Sequence, residues 1–260
     1  MGQSGSRERA DQLNLHSISQ SPADLRLSVV IPTLNESQSI ASTIESVRRA
    51  VVSPVEIIVV DGGSNDGTPM KARSLGAKVL QSERGRGKQQ NAGWQAARGE
   101  WCLFLHADSQ LPPHYDQLIA SAIQAGRLRG GASSTGQQQP GYWQCLFLLA
   151  AGVELRTRLR HQPYGDQALF VRRDVLQATG GYKEWPLLED LDLVQRLRQA
   201  GPPVIVDAPV FTSGRRWRDV GFFRTALINQ GILLAFAAGV PPETLAGWYR
   251  KAKHQMLLSQ

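Results

Sequence analysis

Five short stretches carry the residue types that chemistry needs. Asp61-Gly62-Gly63-Ser64-Asn65-Asp66-Gly67-Thr68 sets a carboxylate ahead of glycines that let backbone approach a ligand closely. Such an acid accepts hydrogen bonds from a ribose hydroxyl or a base N–H; the same residues equally make a tight turn in which Asp66 caps a helix. His106-Ala107-Asp108 offers the hard oxygen that a divalent cation on a diphosphate takes, or starts a turn before Pro112-Pro113. Gly85-Arg86-Gly87-Lys88-Gln89-Gln90-Asn91, with Arg84 before it, opens a helix whose N–H groups and cations suit an anion, or is a solvated basic loop. Glu189-Asp190 sits in an apolar helical pattern, where a carboxylate at a cleft edge can deprotonate an attacking hydroxyl; the bland alternative is a pair of solvent-facing acids. Asp192 shares that helix. Tyr164-Gly165-Asp166-Gln167 puts one more acid in a turn.

The elements that must position these residues are legible from period and punctuation. Leu27–Ile31 and Glu56–Val60 are continuous β-branched runs, the mark of strands buried on both faces, and further strands are expected at Ala77–Leu80 and Trp101–Leu105. Helical spacing links Ile40, Ile44, Val47 and Val51, and short helices follow at Thr68–Leu75 and Lys88–Arg98. Strands alternating with helices predict an α/β fold with a mostly parallel sheet flanked by helices. Ligands in open α/β sheets bind at the carboxyl ends of strands, which is where Thr33–Glu36, Asp61–Asp66 and His106–Asp108 fall. The second half is less regular. A helix around Tyr115–Ile123, a loop over Gly130–Tyr142, a strand at Ala168–Val171, a helix at Leu187–Gln199, a strand at Pro202–Val206 and a long apolar helix at Phe222–Val240 are expected.

Composition narrows the classes. The chain has 260 residues, 42% of them hydrophobic and 20% charged, enough for a sizeable core and incompatible with wholesale disorder, collagen or a coiled-coil rod. Lys plus Arg number 29 against 22 Asp plus Glu, a net +7. The excess gathers toward the last quarter, where a basic surface could meet phosphates or anionic lipid. Cys102 and Cys145 each lie in apolar runs and read as small buried hydrophobes, without metal-type spacing. Neither the dinucleotide fingerprint nor a Walker-A sequence occurs.

Each signal is moderate, but their order is specific. IPTLNE, VVDGGSNDGT, the N-x-G-x-x-x-A-R-G segment of Asn91–Gly99, LFLHADS and LLEDLDL together resemble the family 2 glycosyltransferases, from Leu27 to about Arg250. GRGKQQNAG, PYGDQALFVRR and TSGRRW are similar to a short bacterial subgroup, the radical-SAM/selenodomain-associated transferases. The resemblance implies a GT-A fold and inverting transfer of a sugar, hexosyl in class, from a nucleotide-sugar donor such as a UDP-sugar. It implies that Pro32, Thr33 and Glu36 line the base and ribose pocket and that Asp61 contacts the nucleotide. Gly63, Asn91 and Ala107 would complete the donor site. Arg84, Arg86 and Lys88 would face the diphosphate. Asp108 matches the last acid of the DXD motif and would hold Mn²⁺ or Mg²⁺, with His106 standing where that motif has its first acid. A neutral imidazole carries no charge against the metal, so weaker affinity or a lean toward Mn²⁺ is expected. Asp190, beside Glu189, matches the expected catalytic base. Asp166, Gln167, Arg216 and Trp217 would face the acceptor or the diphosphate. Ser213 replaces the Gln of the processive Q-x-x-R-W motif, which favours single transfer.

The organisation expected is a disordered leader over residues 1–26 and one domain over 27–260, with a donor half (27–110) and an acceptor half (111–260). No apolar stretch reaches the roughly 20 residues that span a bilayer, so a cytoplasmic enzyme is expected. A peripheral contact with anionic membrane through the basic flank and apolar helix is weighed against packing on the core. Nucleic acid is not an expected partner. Two other readings compete: a nucleotidyltransferase, disfavoured because the first strand runs into Thr33-Leu34-Asn35-Glu36 rather than a Gly-rich basic turn, and a degenerate transferase that only binds the sugar nucleotide.

Overall fold

The structure, a computed structural model, describes residues 26–51, 54–129, 143–146, 168–200, 204–206, 208, 210–212 and 222–258. Strands β1 (Leu27–Thr33), β2 (Glu56–Asp61), β3 (Lys78–Gln81) and β4 (Trp101–Phe104) alternate with helices α1 (Ile40–Val47), α2 (Thr68–Ser74) and α3 (Arg86–Gln95). After β5 (Ser109–Gln110) come α4 (Tyr115–Arg129), β6 (Trp143–Leu146), β7 (Leu169–Arg172), α5 (Arg173–Thr179) and α6 (Glu189–Ala200). β8 (Val204–Val206), β9 (Phe211–Thr212), α7 (Phe222–Ala237) and α8 (Pro242–Leu258) complete the described order.

Seven strands form one sheet in the order β3-β2-β1-β4-β7-β6-β8, and β5 pairs with β9 in a separate ribbon. β1 runs parallel to β2 and β4, and β2 to β3; β7 runs antiparallel to both neighbours. The mostly parallel α/β sheet expected from the sequence is therefore present, with an antiparallel insertion that short apolar runs do not announce. Register sets Thr33 opposite Asp61, so β1 and β2 end together at one rim.

Both faces of the central strands are buried, and side chains alternate between two cores as the strand period demands. Val29 and Ile31 of β1, Val59 of β2 and Leu103 of β4 pack toward α1 and α4. Val30, Ile58, Val60, Cys102 and Phe104 pack toward α3, α5 and α6. Burying one such aliphatic side chain fully stabilises by about 1.5–3 kcal/mol. Cys102 is wholly buried, as its sequence context predicts, and burial pushes its thiol up to about 12. The side chain of Cys145 lies outside the described residues.

Helix α3 lies close on the sheet because Gly93 faces it. A Cβ there would come within 2.2 Å of Val30 Cγ1. Two helices went unassigned from sequence. α5 is short and ends at Gly180, whose φ of 76° suits only glycine well. α8 begins at Pro242, a residue pre-set for the first helical position, and buries Leu245 and Ala246. On α7, Ile232 is buried while Leu227 and Leu234 are largely exposed. Among the described residues no helix is long and apolar enough to cross a membrane.

Candidate active site

The loops that follow β1 and β2 are laced together. Asn35, left-handed at φ 56°, donates its N–H to Ser64 Oγ at 2.8 Å and accepts from Asn65 N at 2.9 Å. Glu36 N donates to Thr68 Oγ1 at 2.8 Å and Ser37 N to Asp66 Oδ2 at 2.9 Å. Glu36 itself accepts from Ser39 Oγ at 2.7 Å. Thr33 is buried and Pro32 half-buried beside this wall.

Asp61 is 1% exposed and already accepts four hydrogen bonds. Gly63 N and Ser64 N donate to one oxygen, at 3.1 and 3.0 Å; Thr33 Oγ1, at 3.3 Å, and Ser64 Oγ donate to the other. Its first role is thus to hold the loop, with Gly63 at φ 93° making the turn. A ligand donor reaches Asp61 only by displacing one of the two hydroxyls, which can rotate away.

Asp66 accepts from Thr68 N at 3.0 Å, from Thr68 Oγ1 and from Ser37 N. The Thr68 hydroxyl above all, then the Ser37 amide, hold its carboxyl well below the usual carboxylate range of 3.8. A depressed folded value gives stability that is fully present above pH 3.8 and lost as pH falls through the lower folded value. The difference in Tm between the protein and Asp66→Asn is therefore expected to be constant above about pH 5 and to shrink below pH 4. A difference that stays flat down to pH 2 would contradict this tie.

The start of α3 brings the second wall. Gln89 is buried and donates through Nε2 to both Thr33 O and Val60 O at 2.8 Å, pinning the ends of β1 and β2. Gly62 leaves room for that amide, since a Cβ there would sit 3.1 Å from it. The sequence names Gln89 only as part of a helix opening; its role depends on the register of two strands. Three further residues expected at the donor have these surroundings. Asn91 is engaged in packing: its amide donates to Tyr182 O at 2.8 Å and its oxygen accepts from Tyr182 N and Trp94 Nε1 at 2.9 and 3.0 Å. Lys88 pairs with Glu83 and with Glu184 at 3.8 Å, so carboxylates already meet its charge and raise its pKa. Arg84 is exposed.

Arg86 goes inward. Its Nε lies 3.0 Å from Glu189 Oε1, the first residue of α6, and its NH1 lies 3.5 Å from His106 Nε2 after β4. Glu189 is 2% exposed, and its Oε1 accepts no well-directed hydrogen bond, so the contact is charge on charge. Burial pushes the Glu189 carboxyl up, against the pull of the Arg86 cation. Asp190 follows on the same turn, half-buried, its Oδ1 accepting Leu191 N at 2.8 Å. Leu188 enters the helix at φ 67°, a strained conformation for a branched residue and one the sequence does not betray. Asp192 turns elsewhere, pairing with Lys183 at 2.9 Å and Arg196 at 2.6 Å; Arg196 continues to Thr179 O and Gly181 O. That clamp fixes α6 against α5.

In the turn after β4, Ala107 is buried and its carbonyl accepts Thr43 Oγ1 at 2.8 Å, while His106 and Asp108 on either side are half-exposed. Among the described residues no group of three or more His, Cys, Asp or Glu comes together. Asp108 has the hard oxygen a divalent cation prefers. His106 Nε2 lies 3.5 Å from the Arg86 guanidinium, which the buried Glu189 holds in place. Asp166, Gln167, Arg216 and Trp217 lie outside the described residues, as does the loop at 130–142.

This geometry has relatives. The sequence model of glycosyl transferase family 2 matches residues 28–164. A PGL/p-HBAD biosynthesis glycosyltransferase of Mycobacterium bovis is 25% identical over 222 residues, spanning 79% of this chain and 82% of that protein. Glucosyl-3-phosphoglycerate synthase from Mycobacterium tuberculosis, solved with Mn²⁺, UDP and glucosyl-3-phosphoglycerate, has a TM-score of 0.54 at 23% identity, covering 87% of each chain. The mannosyltransferase PcManGT from Pyrobaculum calidifontis, solved with GDP-Man and Mn²⁺, has a TM-score of 0.58 at 18% identity, covering 84% of this chain and 66% of that one. At these identities the two structures share the GT-A fold with this chain, and the likeness reaches no further than fold. The curated relative and the family match, which spans more than half the sequence, reach the family and not the subgroup: the chain belongs to glycosyl transferase family 2.

Proposed function

We propose that this protein is an inverting, non-processive glycosyltransferase that moves a hexosyl group from a nucleoside-diphosphate sugar, a UDP-sugar first, to an acceptor hydroxyl. The observation that carries the reading is the Arg86–Glu189–His106 cluster. It joins the start of α3 and the start of α6 to the carboxyl end of β4, beside the laced loops of β1 and β2. A cation and a carboxylate pair thus flank the rim where parallel α/β sheets bind nucleotides.

The chemistry follows from where charge develops. As the bond from the sugar's anomeric carbon to the diphosphate oxygen breaks, positive charge grows on the ring and negative charge on the leaving diphosphate. Preorganised donors at the diphosphate stabilise it most when they need not move, which suits Arg86 at the α3 N-terminus. Asp190 takes the proton of an acceptor hydroxyl that attacks the opposite face of the anomeric carbon, inverting it. Glu36, Thr33 and Asp61 bound the nucleoside, the last through exchange of a hydroxyl partner. A divalent cation, Mn²⁺ by the precedent of the solved relatives, would have Asp108 as its protein ligand and would supply Lewis-acid charge to the diphosphate. The donor half is residues 27–110 and the acceptor half 111–260.

Thermal unfolding against a panel of UDP- and GDP-sugars tests the donor. A ligand at about 100 times its Kd adds about 2.7 kcal/mol of stability. One donor is expected to raise Tm by several degrees, and its identity names base and sugar. A panel in which no nucleotide or nucleotide sugar shifts Tm would sink the reading.

A further inference from the structure

We propose that the outer face of α7, with the adjoining part of α8, is a docking surface for an anionic lipid bilayer, on which the protein rests without crossing it. This docking is independent of the donor reading.

Helix α7 is apolar on every side, a composition that ordinarily means burial all round. Only one side is buried. Ile232 is buried, and Phe236, about one turn on, packs against Trp185 with ring centroids 5.9 Å apart and planes at 70°. These two mark the inward face. Leu234 lies two residues past Ile232, about 200° around the helix, and Leu227 lies about two turns before Leu234 on the same side. They are 71% and 75% exposed. Gln230, Gly231 and Ala238 share that outer face and are exposed too. No charged residue occurs between Arg224 and Glu243, so the leucines stand without the charges that a surface helix ordinarily sets around them. Packing on the core, the other use of an apolar helix, is met by the inward face and leaves the outer leucines unexplained.

The next helix adds the cations. α7 turns into α8 through Gly239, at φ 89°, and the two helices touch. Buried Leu245 and Ala246 anchor α8, while Trp248 is 50% exposed and Arg250 and Lys251 beyond it are exposed. Interfacial helices use these side chains: leucine and tryptophan enter the boundary of the acyl chains, and cations on long stems stay among the headgroups. Charge selects the occupant. Residues 222–258 carry Arg224, Arg250, Lys251 and Lys253 against Glu243 alone. A second copy would bring the same excess of cations to the same face, because a two-fold interface sets a patch against itself. Nucleic acid would answer the cations and leave Leu227 and Leu234 without an apolar partner. An anionic bilayer answers both. Among the described residues no helix is long and apolar enough to cross it, so the contact is with the surface.

Flotation of the purified full chain tests this, with vesicles of phosphatidylglycerol and phosphatidylcholine and with vesicles of phosphatidylcholine alone. The protein is expected to float with the anionic vesicles, to bind the neutral ones about tenfold or more weakly, and to be released by high salt. Leu227→Gln combined with Leu234→Gln changes only the outer face, so Tm is expected to stay at the wild-type value while binding weakens roughly tenfold or more. Arg250→Gln combined with Lys251→Gln is likewise expected to weaken binding roughly tenfold or more, from two cations each attracted to the anionic surface. No flotation with the anionic vesicles overturns the inference. Equal flotation with both kinds of vesicle overturns it as well, as does undiminished binding by either variant. Sedimentation without lipid reads the competing occupant: a dimer that the double leucine variant dissolves gives the face to a second copy and overturns the inference.

Discussion

Asp190→Asn is expected to lower turnover by about 10²–10⁴-fold while leaving donor affinity within about twofold. The variant keeps the size and polarity of the side chain and removes its capacity to take a proton. The site around it stays assembled, because other residues hold α6. Asp192 and Arg196 clamp the helix to Thr179 and Gly181, and Glu189 ties its first turn to Arg86. The Oδ1 bond to Leu191 N is one an Asn oxygen can also accept. A loss confined to kcat therefore reports proton transfer, and a loss confined to affinity would report a binding role instead. The measurement is release of nucleoside diphosphate at saturating donor, paired with Kd by calorimetry. Wild-type turnover in the variant would remove Asp190 from the mechanism.

Gly87→Ala is expected to destabilise the fold by about 1–3 kcal/mol, a fall in Tm of roughly 2–10 °C for a chain of this size. Two effects oppose each other. Alanine favours a helix over glycine by up to about 1 kcal/mol, and by less at the first turn. Against that, the new Cβ would sit 2.3 Å from Lys183 O and 3.2 Å from its carbonyl carbon. Backbone cannot rotate out of the way as a side chain end can, so either α3 or the 181–185 segment must move. Both carry the site, since Arg86 precedes Gly87 and Glu189 follows that segment. Donor affinity is therefore expected to fall together with Tm. At Gly63 the same substitution meets nothing within 4 Å and suffers only from its φ of 93°. A Gly87→Ala protein with raised Tm would show that the helix start is not seated as described.

Much of the donor half was legible in the sequence, for physical reasons. β1 and β2 are buried on both faces, so their apolar runs are continuous and β-branched, and glycine and proline punctuate them. The turn residues at Asp61–Thr68 announce themselves because left-handed backbone needs glycine at Gly63 and Gly67. What the sequence hides is which partner each polar side chain takes. Asn91 sits in the family motif but serves packing, and Lys88 lies in a basic run but answers two glutamates. Gln89, unremarkable as a letter, pins two strands because the register brings two carbonyls within reach. Glu189 and Asp190 are neighbours of like charge, and only the fold separates them, one buried against Arg86 and the other half-open. The antiparallel insertion was harder still. β7 reads as a strand from its apolar run, but its antiparallel pairing with β4 and β6 is set by partners far away in the chain.

The bond broken in the proposed reaction joins the sugar to the diphosphate. Phosphorus-31 NMR of the best-binding nucleotide sugar, incubated with the protein and a cell extract as acceptor pool, reads that bond directly. Nucleoside diphosphate resonances are expected to grow, and their growth to be abolished in Asp190→Asn. Growth of sugar 1-phosphate instead would mean nucleotidyl transfer, with the bond between the two phosphorus atoms broken, and would contradict it.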